Sequence, residues 1–164
     1  SAAEKLESWG CNLLLAQEIP PRMPTSAPTG PAMPASRAEA RLEDMLHRAG
    51  FPTGEWHRQI HLGRPLGSTS SDVYFEGDNP AEPGVWVYLD GLSDHIHGKP
   101  ETVAQDRAIR EELRARHYEV FEIPVADLDD RDAMARHFFR VARALMGKDR
   151  ARRVRDDTKW FRTE

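Results

Sequence analysis

The chain has 164 residues, 39% hydrophobic and 30% charged, which fits one domain with polar ends and a sizeable core. A formal net charge of −4 argues against a freestanding protein held on nucleic acid by bulk electrostatics, and no apolar run approaches the length of a membrane span. The lone cysteine, Cys11, excludes an internal disulfide and a thiolate zinc knuckle, and it points to a reducing cytoplasm.

Residues 1–35 read as an appendage. They lack the basic start and apolar block of a signal peptide, and without an initiator Met the expectation is a processed product or a piece of a larger protein. Leu6, Trp9, Leu13 and Leu14 predict a short helix over residues 4–17. Six of the chain's 12 prolines then follow (Pro20, Pro21, Pro24, Pro28, Pro31 and Pro34), which predicts an extended linker.

The domain proper is expected over residues 36–147. Ser36 and Glu39 have capping-box spacing, so a helix should run over residues 38–49 and end at Gly50, with Leu42, Leu46 and Ala49 inward. Glu39 falls on that same inward face. A plain cap and a functional carboxylate both fit it, with Glu43 as the second candidate one turn on. Residues 57–62 alternate as a first strand, with His57, Gln59 and His61 on one side, and a Gly/Ser/Thr-rich loop covers residues 63–71. Val73, Tyr74 and Phe75 form a second strand, and Val85 to Leu89 form a third, apolar on both faces and therefore expected in the middle of a covered sheet.

Pro100 opens a second helix that runs to about Arg116, with Val103, Ile109 and Leu113 inward and exposed pairs such as Asp106 with Arg110. Tyr118 to Ile123 makes a fourth strand, stopped by Pro124. Residues 127–130 cap a last helix whose face is Met134, Phe138, Val141 and Leu145, ending at Gly147. Residues 148–164 read as a basic tail in which Lys148, Arg150, Arg152 and Arg153 form either a solvated helix end or a phosphate-contacting patch. Trp160 and Phe161 are an apolar hook expected to dock on the domain. The fold class is α/β, in the order helix, three strands, helix, strand, helix, with no internal repeat.

The chemistry concentrates in residues 72–98. Asp72 and Asp90 stand at the ends of neighbouring strands, where a backbone can aim both carboxylates into one cleft, and Asp94, His95 and His97 follow. Each aspartate alone fits a strand-end or turn residue; together with Glu39 and the histidines they fit a divalent-metal site. Hard oxygen ligands suit Mg2+ or Mn2+, and His95 has the pKa range of a proton carrier. His95 and His97 could alternatively serve zinc, although two ligands fall short of a site. His47, His57, His61, His117 and His137 are scattered and read as ordinary structural or surface histidines.

These residues and their order resemble the PD-(D/E)XK nuclease superfamily, with its restriction-endonuclease-like α-β-β-β-α-β core, here followed by an additional C-terminal helix. Within it the likeness is to very-short-patch-repair-like endonucleases. Its elements here are Glu39, Gln59, the strand Asp72-Val73-Tyr74-Phe75, the run from Val85 to Gly91 with His95, then Asp106, Arg110, Leu113 and the strand from Tyr118 to Val120. It covers about residues 36–128, and order and spacing carry it rather than any single motif. The resemblance implies metal-dependent DNA phosphodiester hydrolysis, with Asp72 and Asp90 on Mg2+ or Mn2+, the main-chain carbonyl of Leu89 assisting, and His95 handling protons. It also implies roles for Glu39 and Gln59, and a place among the domains or subunits of a helicase-like restriction or phage-defence assembly.

The sequence departs from the family pattern in two places. Leu92 stands where the usual active-site lysine is expected, and Tyr88 where some relatives keep a glutamate. His95 or Lys99 would then have to serve, with His97 and Asp106 as supporting residues. A domain of this fold that binds DNA or a partner protein without cutting is the alternative.

Overall fold

The computed structural model describes residues 33–91 and 100–163. The expected helix at residues 4–17, the proline-rich linker up to residue 32, and the candidates His95, His97 and Lys99 lie outside them. The elements are α1 (Arg37–Arg48), β1 (Glu55–Trp56), β2 (Gln59–His61), β3 (Ser68–Ser70), β4 (Val73–Phe75) and β5 (Val85–Asp90), then α2 (Pro100–Ala115), β6 (Glu119–Pro124), a 3-10 turn (Val125–Asp129), α3 (Arg131–Met146) and α4 (Lys148–Asp156). This is a mixed α/β architecture. One sheet has the strand order β1-β4-β5-β6, while β2 and β3 form a separate two-stranded hairpin. Within the sheet, β4 runs antiparallel to β1 and β5, and β6 runs parallel to β5 after the α2 crossover.

β5 is interior because its side chains are apolar on both faces. Val85 and Val87 join one core with Val73, Phe75, Ile123 and the inward faces of α1 and α3. Trp86 points the other way, into a second cluster with Tyr74, Val120, Leu62 and Leu113 of α2. The period-2 alternation of a strand therefore sends one short run of sequence into two cores. Gly84 leads into β5 so closely beside β4 that a Cβ there would meet the Phe75 carbonyl and the Tyr74 ring. The Tyr74 hydroxyl accepts the Gly84 N–H at 3.0 Å, so the turn is closed by a buried side chain.

α1 begins as its capping box predicts. The Ser36 hydroxyl accepts the Glu39 N–H, and the Glu39 carboxylate returns to the Ser36 N–H. Leu42, Met45 and Leu46 are buried, and Glu39 is on the same inward side. α3 is capped by Asp130, whose carboxylate accepts from the N–H groups of Asp132 and Ala133, and it buries Met134, Phe138 and Val141.

Four expectations are corrected. The first strand is not one piece: β1 ends at Trp56, His57 takes a positive φ of 56°, and residues 59–61 belong to the hairpin, not the main sheet. The loop expected over residues 63–71 contains the hairpin's second strand, β3. In α2, Leu113 is buried but Val103 is exposed, as are all the residues of the first two turns of that helix, so the inward face begins later than expected. Residues 148–156 form α4 rather than a basic tail; Ala151 and Val154 are buried, and Trp160 docks as expected, 4.5 Å from the Phe138 ring.

Candidate metal centre

Three side chains from three elements meet at one end of the sheet. Glu39 comes from the first turn of α1, His57 from the bend after β1, and Asp72 from the residue before β4. Each offers one ligand atom, and all three atoms lie within 4.8 Å of one another. Two carboxylates and one imidazole at that spacing form a donor set that fits a divalent cation.

Glu39 serves the helix and the site together. Its Oε2 accepts the N–H groups of Ala35 at 2.6 Å and Ser36 at 3.0 Å, while Oε1 lies 3.1 Å from His57 Nε2. The cap occupies Oε2 and leaves Oε1 facing His57, so capping alone does not use up the carboxylate. Burial pushes the Glu39 pKa up, but hydrogen bonds with His57, Ala35, Asp72 and Ser36 outweigh it and hold the carboxyl below its ordinary value.

Asp72 is fixed by its neighbours on the sheet. Its N–H donates to the Val87 carbonyl at 3.0 Å, its carbonyl accepts the His57 N–H at 3.1 Å, and its Oδ2 accepts the Leu89 N–H at 2.6 Å. Burial raises its pKa to about 6; the Leu89 N–H opposes the rise, and the hydrogen-bonded Glu39 carboxylate reinforces it. Glu39 and Asp72 are therefore shifted in opposite directions, Glu39 favouring its charged form and Asp72 its neutral one. The Leu89 carbonyl leaves the strand on the same edge as its N–H, so it too lies on the Asp72 side.

A cleft of about 280 Å³ opens beside Asp72, lined by Thr69, Tyr88, Leu89, Asp90, Asp106 and Arg110 among others. Asp72, Leu89, Asp90 and Asp106, all singled out from the sequence, therefore share one concavity. Asp90 is not in the three-residue cluster: its Oδ1 is 2.7 Å from Arg110 Nη2. Arg110 also holds Glu122 at 3.1 Å and lies 4.9 Å above the Tyr88 ring. The sequence expectation paired Arg110 with Asp106 along the helix; α2 instead turns it toward β5 and β6. Tyr88 completes the wall through a 2.8 Å hydrogen bond to Thr69.

Gln59 is exposed in β2 opposite Ser70 and joins neither the cluster nor the cleft lining. Glu43 lines a separate small cleft under α1 with Phe51 and Trp56. His57 escapes a reading of the sequence because the alternation of residues 57–62 suggests one continuous strand, and the positive φ takes it out of that register. The one available signal is residue type, since His is among the few side chains enriched at positive φ.

The basic residues lie elsewhere. Lys148, Arg150, Arg152 and Arg153 are exposed on α4, and Arg152 and Arg153 line a groove of about 520 Å³ with Arg48 and Lys159, accompanied by Asp156 and Asp157. No helix of the described residues is long and apolar enough to cross a membrane. No protein-family model, curated protein sequence or solved structure matches this chain.

Proposed function

We propose that this chain carries a metal-dependent DNA endonuclease domain with a restriction-endonuclease-like α-β-β-β-α-β core, hydrolysing phosphodiesters with Mg2+ or Mn2+. The observation that supports it best is the meeting of Glu39 and Asp72, reached from α1 and from the start of β4, with Asp72 also lining the cleft that holds Asp90. A helix, a sheet with β4 and β5 at its centre, the α2 crossover and a parallel β6 are compatible with the α-β-β-β-α-β order that the resemblance implies.

In this reading Asp72 is the principal ligand, with the Leu89 carbonyl and Asp90 beside it, and Glu39 assists directly or through water. Bound there, a divalent ion polarises a phosphoryl oxygen and lowers the pKa of an attacking water. His95 handles the proton, and Leu92 in place of the usual lysine leaves that task to His95 or Lys99. The exposed arginines of α4 contribute phosphate contacts, while most DNA affinity comes from the other domains or subunits of a cytoplasmic helicase-like restriction, defence or repair assembly.

A non-cutting module that binds DNA or a partner protein is the second reading. The Asp90–Arg110 ion pair favours it, because a carboxylate already neutralised by a guanidinium is a weaker cation ligand. Nuclease assays with Mn2+ on single-stranded, duplex and branched DNA separate the two. The enzyme reading expects cleavage by wild type that is lost in Asp72→Ala and Asp90→Ala. An absence of metal-dependent cleavage on all three substrates overturns it.

A further inference from the structure

We propose that His57 is the third ligand of the metal centre, supplying Nε2 beside one oxygen each from Glu39 and Asp72, and that this nitrogen selects a first-row transition-metal ion over Mg2+. The inference rests on the metal-centre reading above and deepens it by naming the class of ion.

The geometry carries it. Two ligands about 2.1 Å from an ion and at right angles are about 3.0 Å apart, and His57 Nε2 lies 3.1 Å from Glu39 Oε1. The widest separation in the cluster, at most 4.8 Å, exceeds the roughly 4.2 Å of an opposed pair by no more than about 0.6 Å. A small inward shift of three side chains would complete the set.

Each carboxylate is held by backbone N–H groups outside the cluster. Glu39 Oε2 is tied to the start of α1 and Asp72 Oδ2 to Leu89, leaving each carboxylate one oxygen not bonded to the backbone. The His57 main chain is fixed by its N–H to the Asp72 carbonyl and by its positive φ, a conformation that costs a non-glycine residue energy and turns it out of the β1 register. Glu39 does not need the imidazole to cap α1, because the Ser36 and Ala35 N–H groups already saturate that role.

The chemistry then selects the ion. Mg2+ is a hard cation that takes oxygen and retains water, whereas imidazole suits first-row transition ions. Among these Mn2+ binds most weakly to mixed nitrogen and oxygen donors, so a preference for Mn2+ over Mg2+ is the most demanding form of the proposal.

The test is titration calorimetry of the full chain with Mn2+ and with Mg2+, together with pulsed electron paramagnetic resonance of the Mn2+-loaded protein. Wild type should bind Mn2+ at least roughly tenfold more tightly than Mg2+ and show nitrogen-14 coupling from a directly bound imidazole. His57→Gln, which keeps a polar partner for Glu39, should lose the coupling and at least roughly tenfold in Mn2+ affinity, with Mg2+ affinity within about threefold of wild type. His57→Ala should behave alike, and circular dichroism checks that both variants fold. If they do not, coupling that survives in a His95→Ala/His97→Ala protein supports the assignment and its loss overturns it. Mn2+ bound without nitrogen coupling, or coupling that persists in His57→Gln, overturns the His57 assignment and leaves the metal centre standing. Wild type that binds neither ion removes both.

Discussion

The backbone N–H of His57 donates to the carbonyl of Asp72 over 3.1 Å, tying the bend after β1 to the residue before β4. The first turn of α1 brings Glu39 against the same point, 3.1 Å from the His57 ring. The candidate centre is therefore built on the end of a sheet and the start of a helix, both rigid elements. Side chains mounted this way need only small shifts to converge on a ligand.

The raised pKa of Asp72 makes stability depend on pH in a definite direction. A carboxyl near 6 in the folded chain and near 3.9 in the unfolded chain binds more protons when folded, so its contribution is fully present below about pH 4 and is lost as pH rises through about 6. Asp72→Asn, which mimics the protonated form, should be more stable than wild type at pH 8 by about 1–3 kcal/mol in chelator, and about equal at pH 4. Urea denaturation across pH 4–8 measures it; a variant no more stable at pH 8 would show that Asp72 carries no buried-charge penalty.

Arg110 joins Asp90 of β5, Glu122 of β6 and the Tyr88 ring, and its partner Asp90 is only 18% exposed. Arg110→Ala leaves that carboxylate half-buried and unpaired, so it should cost about 1–3 kcal/mol. A double-mutant cycle with Asp90→Ala should give a coupling of about 1 kcal/mol or more without added metal. A coupling near zero would release Asp90 from the clamp and strengthen its case as a cation ligand.

Trp160 stacks 4.5 Å from Phe138, is 4% exposed, and donates its indole N–H to the Val154 carbonyl at 2.8 Å. Trp160→Ala removes the side chain that folds the chain's end back over α3 and α4, at a cost of about 3–5 kcal/mol. Thermal melts would read this directly, and a shift typical of a surface substitution would mean that the C-terminal segment is not anchored there.

If the α4 groove carries DNA phosphates, Arg152→Glu and Arg153→Glu should weaken duplex binding and flatten its salt dependence. The slope falls by about 0.9 for each phosphate that is no longer neutralised. Fluorescence anisotropy at several salt concentrations gives that slope, and unchanged affinity in both variants would make α4 an ordinary solvated helix.

Local rules left their mark wherever one segment settles its own structure. The Ser36–Glu39 spacing set the start of α1, the 3.6-residue repeat of Met134, Phe138 and Val141 set the buried face of α3, and Pro124 closed β6. The two-faced apolar run of β5 likewise announced an interior strand, because only burial on both sides accommodates it. Asp72 and Glu39 stood out for the same reason, since a carboxylate at a strand end or on an inward helix face needs a physical cause, and the fold brings the two together.

What lay beyond the sequence depends on contacts between distant segments. His57 enters the centre only because a positive φ breaks an otherwise regular alternation, a backbone choice that the Asp72 carbonyl stabilises from 15 residues away. Val103 is exposed and Arg110 reaches Asp90 because packing decides how a helix of modest amphipathicity rotates against its sheet. α4 forms in a stretch that reads as a charged tail because Ala151 and Val154, only two apolar positions, find α3 beside them. Composition and periodicity thus determined the α/β class and the buried faces of α1 and α3; tertiary structure alone decided which carboxylate meets which partner. Side-chain period is a property of one segment, whereas ion pairs and metal-ligand sets depend on how segments converge in space.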